Sequence, residues 1–224
     1  SCVRGRSGEK GRAKGLMTEN IIFDVDGTLW DSAEVVARAW NIVYERRGLT
    51  RRFSEKEVSE CMGMTLEEIE EKIFSDTPPQ EKKKIIDDCL ATQNALLQRE
   101  GGKLYPMVKE TIEELSSNYG IYIVSNCECG YIEALLSSTG MGAFVGDFLC
   151  AGMTGKGKGD NLLTLMKRNG LKNCVYVGDT RMDETACKKA GIPFIWAAYG
   201  FGTAENPAAT VKSISEVKEA VKRL

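Results

Sequence analysis

The 224-residue chain contains no histidine, only five prolines, and no apolar run approaching the ~18 residues a membrane-spanning helix requires. Without imidazole, the Cys127-x-Cys129 pair has no partner to complete a zinc site. Acid–base work near neutral pH falls to other groups. Surplus charge is also lacking: 30 basic residues against 32 acidic ones give a formal net charge of -2. No basic field exists to hold a nucleic acid, and no membrane partner is expected. The eight cysteines are mostly scattered singly in apolar runs such as "DFLCAG" and "NCVYVGD", where they read as packed, reduced thiols of a cytoplasmic protein.

What is present is a 42% hydrophobic chain, long enough for one large domain or for a core carrying a smaller insertion. The opening "SCVRGRSGEKGRAKGL" has no apolar stripe and carries five basic residues against one acid, which leaves -6 on residues 17 to 224. Residues 1–17 are expected to be a disordered tail or an expression remnant, with Met17 the natural start.

Beyond the tail, strand-like runs alternate with amphipathic ones. The strands are "NIIFDVD" at 20–26, "GIYIVSN" at 120–126, "DFLCAG" at 147–152, "NCVYVGD" at 173–179 and "IPFIWAAY" at 192–199. Between them "VKETIEELSSNY", "YIEALLSSTG" and "DNLLTLMKRNG" repeat apolar residues near every 3.6 positions. This order predicts an α/β fold: a Rossmann-like parallel sheet flanked by helices, formed by residues 18–30 and 104–224. Residues 31–103 break the rhythm. Capping-box spacings at Asp31/Glu34, Ser54/Glu57 and Thr65/Glu68, and a long charged helix opened by Pro78-Pro79 and closed by Gly101-Gly102, predict an all-helical module. An insertion after the first strand overhangs the ligand crevice of such a sheet, so it reads as a cap.

That crevice lies beyond the carboxyl ends of the strands. There the sequence puts Asp24 and Asp26, then Ser125 and Asn126, then Asp179 with Asp183 one helical turn on; "TGKGKGDN" adds Lys156 and Lys158. Singly, each has an ordinary role: an Asp caps a helix, Ser-Asn turns the chain, a lysine between glycines is solvated. Together, the acids would repel one another across a shared rim unless a cation neutralised them. Hard oxygen ligands without histidine or paired thiolates suit Mg²⁺ beside a phosphate. The set points to phosphoryl transfer, with one carboxylate as nucleophile and a second, two residues on, moving the proton that histidine moves elsewhere.

These residues carry a resemblance to the haloacid dehalogenase-like hydrolase superfamily. "DVDGT" at 24–28 matches its Asp-x-Asp-Gly-Thr motif, "IYIVSN" its strand-closing Ser or Thr, "KGDNL" from Lys158 its lysine before a helix, and "GDTRMD" at 178–183 its paired acids. The resemblance implies that Asp24 is the nucleophile and a magnesium ligand, and that Asp26 is the general acid/base whose backbone carbonyl also reaches the metal. It further implies that Thr28 and Ser125, with Asn126 beside them, bind phosphate, that Lys158 stabilises its charge, and that Asp179 and Asp183 serve the metal. The third motif departs from the family's frequent Lys-Pro-x-Pro, and Lys156 competes with Lys158, which is preferred because it immediately precedes the helix. The acid at position 26 argues for phosphate esters over halides, since a departing halide needs no proton.

The expected activity is therefore a Mg²⁺-dependent phosphatase acting on a small phosphorylated metabolite. The alternatives are a phosphosugar mutase, or a phosphoacceptor signalling domain, which would carry its Asp on a middle strand and lack the insertion. A catalytically silent scaffold is disfavoured by the complete set of acids. Gly63 and Thr65 in "CMGMTLEEIEEK" read either as crevice residues or as an ordinary loop. The arginines of "RRGLTRRF" read as a solvated turn, and Trp196, Tyr199 and Phe201 as buried aromatics.

Overall fold

The computed structural model describes residues 17–224, so all of the expected tail except Met17 lies outside the described residues. The chain enters a strand at once: β1 (Asn20–Phe23) pairs in parallel with β4 (Gly120–Ser125) on one side and β6 (Cys174–Gly178) on the other. Adding β5 (Asp147–Cys150), β7 (Phe194–Ala197) and β8 (Ala209–Val211) gives a six-stranded parallel sheet ordered β5-β4-β1-β6-β7-β8. Alternation along the strands splits the core in two. Ile21, Phe23, Val175 and Val177 face one side, and Ile22, Cys174 and Tyr176 the other.

Helices cover both faces, as a parallel sheet buried on both sides requires. On the first pack α5 (Val108–Ser116), α6 (Tyr131–Thr139) and α10 (Val217–Val221); on the second, α8 (Lys158–Asn169) and α9 (Arg181–Ala190). A one-turn helix, α7 (Ala151–Thr154), follows β5 where the sequence suggested that the strand continued.

Between β2 (Trp30–Asp31) and β3 (Lys103–Leu104) the described chain is helical: α1 (Ala33–Arg46), α2 (Glu55–Ser59), α3 (Leu66–Lys72) and α4 (Lys82–Glu100). The boundaries expected at 31 and 103 fall on an antiparallel ribbon in which Asp31 faces Lys103. Trp40, Tyr44, Phe53 and Phe74 form the insertion's own aromatic core, with ring centroids 4.7–6.3 Å apart. Its link to the sheet domain includes α4, where Asn94 Nδ2 donates to the Cys129 carbonyl at 2.8 Å.

Two local expectations differ from the structure. The Ser54/Glu57 and Thr65/Glu68 boxes form, but the Asp31/Glu34 box does not. The helix starts at Ala33 with Ser32 at the N-cap, and Asp31 Oδ1 accepts from the Ala33 amide at 3.0 Å. The long helix starts at Lys82, because Pro78 and Pro79 build a preceding turn closed by the Glu81 amide on the Pro78 carbonyl at 3.0 Å.

Candidate active site

Register brings the motif residues together. Phe23 is level with Ile123 and Val177, so the next residues out of the three central strands are Asp24, Val124 and Gly178, and Ser125 and Asp179 follow one position later. The chain then turns sharply: the amides of Thr28, Leu29 and Trp30 all point to the Val25 carbonyl, at 3.2, 2.8 and 3.3 Å. Gly27 makes that turn possible. Its φ is +76°, and a Cβ there would stand 2.1 Å from Asp179 Oδ2.

Lys158, the first residue of α8, is buried with its ammonium 3.0 Å from Asp24 Oδ1 and 2.5 Å from Asp183 Oδ1. The contact to Asp183 is a hydrogen bond; that to Asp24 has ion-pair distance without hydrogen-bond alignment. The Tyr176 ring lies 5.8 Å beneath the ammonium, and its hydroxyl is fixed by the Val124 carbonyl at 2.8 Å. Burial disfavours the charged amine, but Asp183 and Asp24 outweigh it and hold Lys158 protonated, its pKa raised. Lys156 is exposed.

Asp183 spends both oxygens inside the protein. Oδ2 accepts from the amides of Asp179 (3.1 Å) and Thr180 (2.9 Å) and from the Thr180 hydroxyl (2.8 Å), while Oδ1 takes Lys158. Asp179 is the converse: Oδ2 accepts from the Phe201 amide at 2.7 Å, and Oδ1 is buried without a partner. Burial, with Asp183 alongside, pushes its carboxyl up to about 7. Asp24 is also pushed well above the carboxylate range by burial, against the pull of Lys158 and helped by Asp183 and Asp179.

Asp26 points elsewhere. Its Oδ1 accepts from Tyr131 Oη (2.6 Å), Trp30 Nε1 (3.1 Å) and Ser32 Oγ (3.1 Å), and Ser32 also meets the Tyr131 hydroxyl. Burial raises its pKa to about 6, and the three donors, Tyr131 foremost, hold it from going higher. All three bonds fall on Oδ1, which leaves Oδ2 without a partner among the described residues. With Ser125 and Asn126, Asp26 lines a cavity beneath the helical insertion.

Among the described residues, five of the seven buried side-chain atoms lacking a hydrogen-bond partner belong to motif residues: both Asp24 oxygens, Thr28 Oγ1, Asn126 Oδ1 and Asp179 Oδ1. Buried polar groups are ordinarily satisfied, so such a concentration marks where a ligand binds. Carboxylate oxygens of Asp24, Asp179 and Asp183 lie within 4.8 Å of one another. Three acids beside one lysine, all oxygen donors, fit a hard divalent cation such as Mg²⁺. Asp24 and Asp179 have free oxygens for it; Asp183 does not, and the Asp26 carboxylate is outside the cluster.

Several site residues gave no sequence signal. Tyr131 opens an ordinary amphipathic helix, and Tyr176 is one apolar position of a strand. The aromatics expected to be buried are not: Phe201 is exposed and Trp196 and Tyr199 are half-buried, because they hold the site's rim, where Trp196 Nε1 donates to the Asp179 carbonyl (2.9 Å), Tyr199 Oη to the Thr28 carbonyl (2.9 Å), and Phe201 supplies the amide on Asp179. Gly200 permits that approach, since a Cβ there would lie 2.3 Å from the Gly27 carbonyl oxygen. Gly63 belongs to the crevice and accepts from Asn126 Nδ2 at 2.9 Å. Of the arginines in "RRGLTRRF", Arg47 pairs with Glu81 and Asp88, and Arg51 with Glu57 and Asp76; none lines the cavity.

Residues 21–197 match the family described as "Haloacid dehalogenase-like hydrolase", and the chain belongs to that family. Within it the chain is a phosphoric monoester hydrolase by its relatives. It is 27% identical over 193 residues to the phosphoglycolate phosphatase of Yersinia pseudotuberculosis, covering 83% of each chain. It is 27% identical over 221 residues to that of Vibrio parahaemolyticus, covering 90% of this chain and 95% of the other. The fold is shared with a predicted phosphoglycolate phosphatase from Haemophilus somnus, at a TM-score of 0.78 and 21% identity over 92% of this chain and 99% of that one.

Proposed function

We propose that the chain is a Mg²⁺-dependent phosphatase that hydrolyses a small phosphorylated metabolite through an aspartyl-phosphate on Asp24, with Asp26 as general acid and base. The observation that carries this reading is the cluster of buried carboxylate oxygens without a hydrogen-bond partner, both of Asp24 and Oδ1 of Asp179, beside a buried ammonium that Asp24 and Asp183 flank. Asp24 attacks phosphorus, and the bond from phosphorus to the ester oxygen breaks. Asp26 gives its proton to that departing oxygen, then takes one from the water that attacks the acyl phosphate, freeing inorganic phosphate and Asp24. A pKa near 6 suits a group that must serve in both states.

Lys158 faces the charge on the transferring oxygens, held in place by Asp183, while Ser125, Asn126 and Thr28 offer polar groups to the remaining oxygens. Asp24 and Asp179, with the backbone carbonyl of Asp26, would hold the Mg²⁺, and the full occupancy of Asp183 favours a positioning role for it. Bound there, the ion supplies neutralisation of the crowded carboxylates and polarisation of the phosphoryl group. The helical insertion acts as the cap, opening for substrate and excluding water during reaction. The described cysteines are all free thiols, in keeping with a cytoplasmic setting. Phosphoglycolate is the first substrate the relatives' names suggest.

Hydrolysis of p-nitrophenyl phosphate with and without Mg²⁺, in the wild type and in Asp24→Asn, tests the reading. Metal-dependent turnover that disappears in the variant supports it; turnover retained by Asp24→Asn removes the nucleophile.

A further inference from the structure

The cavity under the helical insertion shows which alcohol the site is built to release. Asp26, the group that meets the departing oxygen, lies in its wall, so whatever hangs from that oxygen extends into this space; the inference rests on the reading above. The wall is apolar, contributed by Val36, Trp40, Met62, Met64, Ile69 and Leu90 among others. Among the described residues that line it there is no lysine and no arginine.

Its charged lining consists of Asp26 and the half-buried Glu128, whose carboxyl is raised by burial and by neighbouring Glu67. Ser125, Asn126 and Tyr131 line it beside Asp26, and one further uncharged polar side chain, Gln93, is contributed by the helical insertion. Gln93 accepts from Trp40 Nε1 at 2.8 Å, which fixes the amide oxygen there and leaves Nε2 without a partner among the described residues. The cavity measures 70 Å³, less than half of the roughly 150 Å³ that admits benzene.

We propose that this cavity is the leaving-group subsite and that it selects a short, uncharged alcohol over one bearing a carboxylate. An anionic group placed there would lose its water, find no cation and face Glu128, so binding would cost more than it returned. A short alkyl chain buries against methionine and leucine, and Gln93 Nε2 can meet one neutral oxygen on it.

The test is a matched series: propyl phosphate, O-phosphoglycolamide and 2-phosphoglycolate, assayed by phosphate release beside p-nitrophenyl phosphate. The expected kcat/KM for propyl phosphate and for the amide exceeds that for 2-phosphoglycolate by about 100-fold. A preference above tenfold supports the inference; a smaller one, or a preference for 2-phosphoglycolate, overturns it while leaving the phosphatase reading intact. Failure of all four esters, the aryl phosphate included, sinks the phosphatase reading and this inference with it. Met64→Lys, on the loop before α3, and Glu128→Gln, which removes the half-buried carboxyl from the lining, should each move the ratio toward 2-phosphoglycolate by at least about fivefold. An unmoved ratio in both variants, with aryl phosphate turnover retained, overturns the charge argument.

Discussion

Removing one hydroxyl from Tyr131 should reset the pH at which the catalytic cycle runs. Tyr131 stays protonated, because burial and the adjacent Asp26 raise its own pKa well above the usual phenol value. It therefore donates to Asp26 at 2.6 Å and favours the ionised carboxylate. A hydrogen bond to a buried charge is worth about 1.5–3 kcal/mol, and 1.36 kcal/mol corresponds to one pH unit, so its loss favours protonated Asp26 by about one to two units. Tyr131→Phe keeps the ring that packs edge-on against Trp30 with centroids 5.5 Å apart. Ser32 and Trp30 still hold the carboxylate in place.

With p-nitrophenyl phosphate, whose leaving group needs little help, the step at risk is activation of water by ionised Asp26. The acid limb of kcat, near pH 6 in the parent, should move up by about one to two units in the variant. Activity at pH 6 then falls about 5- to 50-fold, with little change at pH 9. An acid limb that stays within about 0.3 unit of the parent's would refute the coupling of Tyr131 to the catalytic proton.

Other perturbations probe separate parts of the account. Gly27→Ala combines left-handed strain with a Cβ placed 2.1 Å from Asp179 Oδ2, and should cost about 2–5 kcal/mol; an unchanged melting temperature would show that the turn is built differently. Asp183→Asn leaves the Lys158 ammonium paired with Asp24 alone and should lower kcat about 10- to 100-fold with a smaller change in KM, measured at saturating Mg²⁺. Glu184, whose pKa is lowered from 4.5 to about 2 by the Glu205 amide, then Lys188 and the Asn206 amide, contributes stability above pH 4.5 that is lost as pH falls toward 2. The melting-temperature gap between wild type and Glu184→Gln should accordingly be full at pH 7 and narrow below pH 4.5; a gap independent of pH would remove the charged hydrogen bonds from the explanation.

The parallel sheet was legible because its central strands are continuous apolar runs that end in chemistry-bearing residues. Asp24, Ser125 and Asp179 could be placed on one rim from strand order alone, since register in a parallel sheet levels the strand ends. Lys158 was legible as the lysine just ahead of a helix, which in the structure it opens as first residue. The strands β2, β3 and β8 are two or three residues long, too short for any periodicity. The Asp31/Glu34 spacing misled because Ser32 takes the N-cap position while its hydroxyl bonds Asp26. Tyr131, Tyr176 and the amide of Phe201 were hidden for a common reason: each contacts a carboxylate more than five residues away in sequence, through an atom that periodicity does not register.

The central claim is a covalent bond between Asp24 and phosphorus. Acid quenching during steady-state turnover of ³²P-labelled aryl phosphate, followed by peptide mapping, reads it directly. The account predicts label confined to the peptide carrying Asp24, released by hydroxylamine as an acyl phosphate is, and absent in Asp24→Asn. Turnover with no labelled peptide, or with label on another residue, would contradict it.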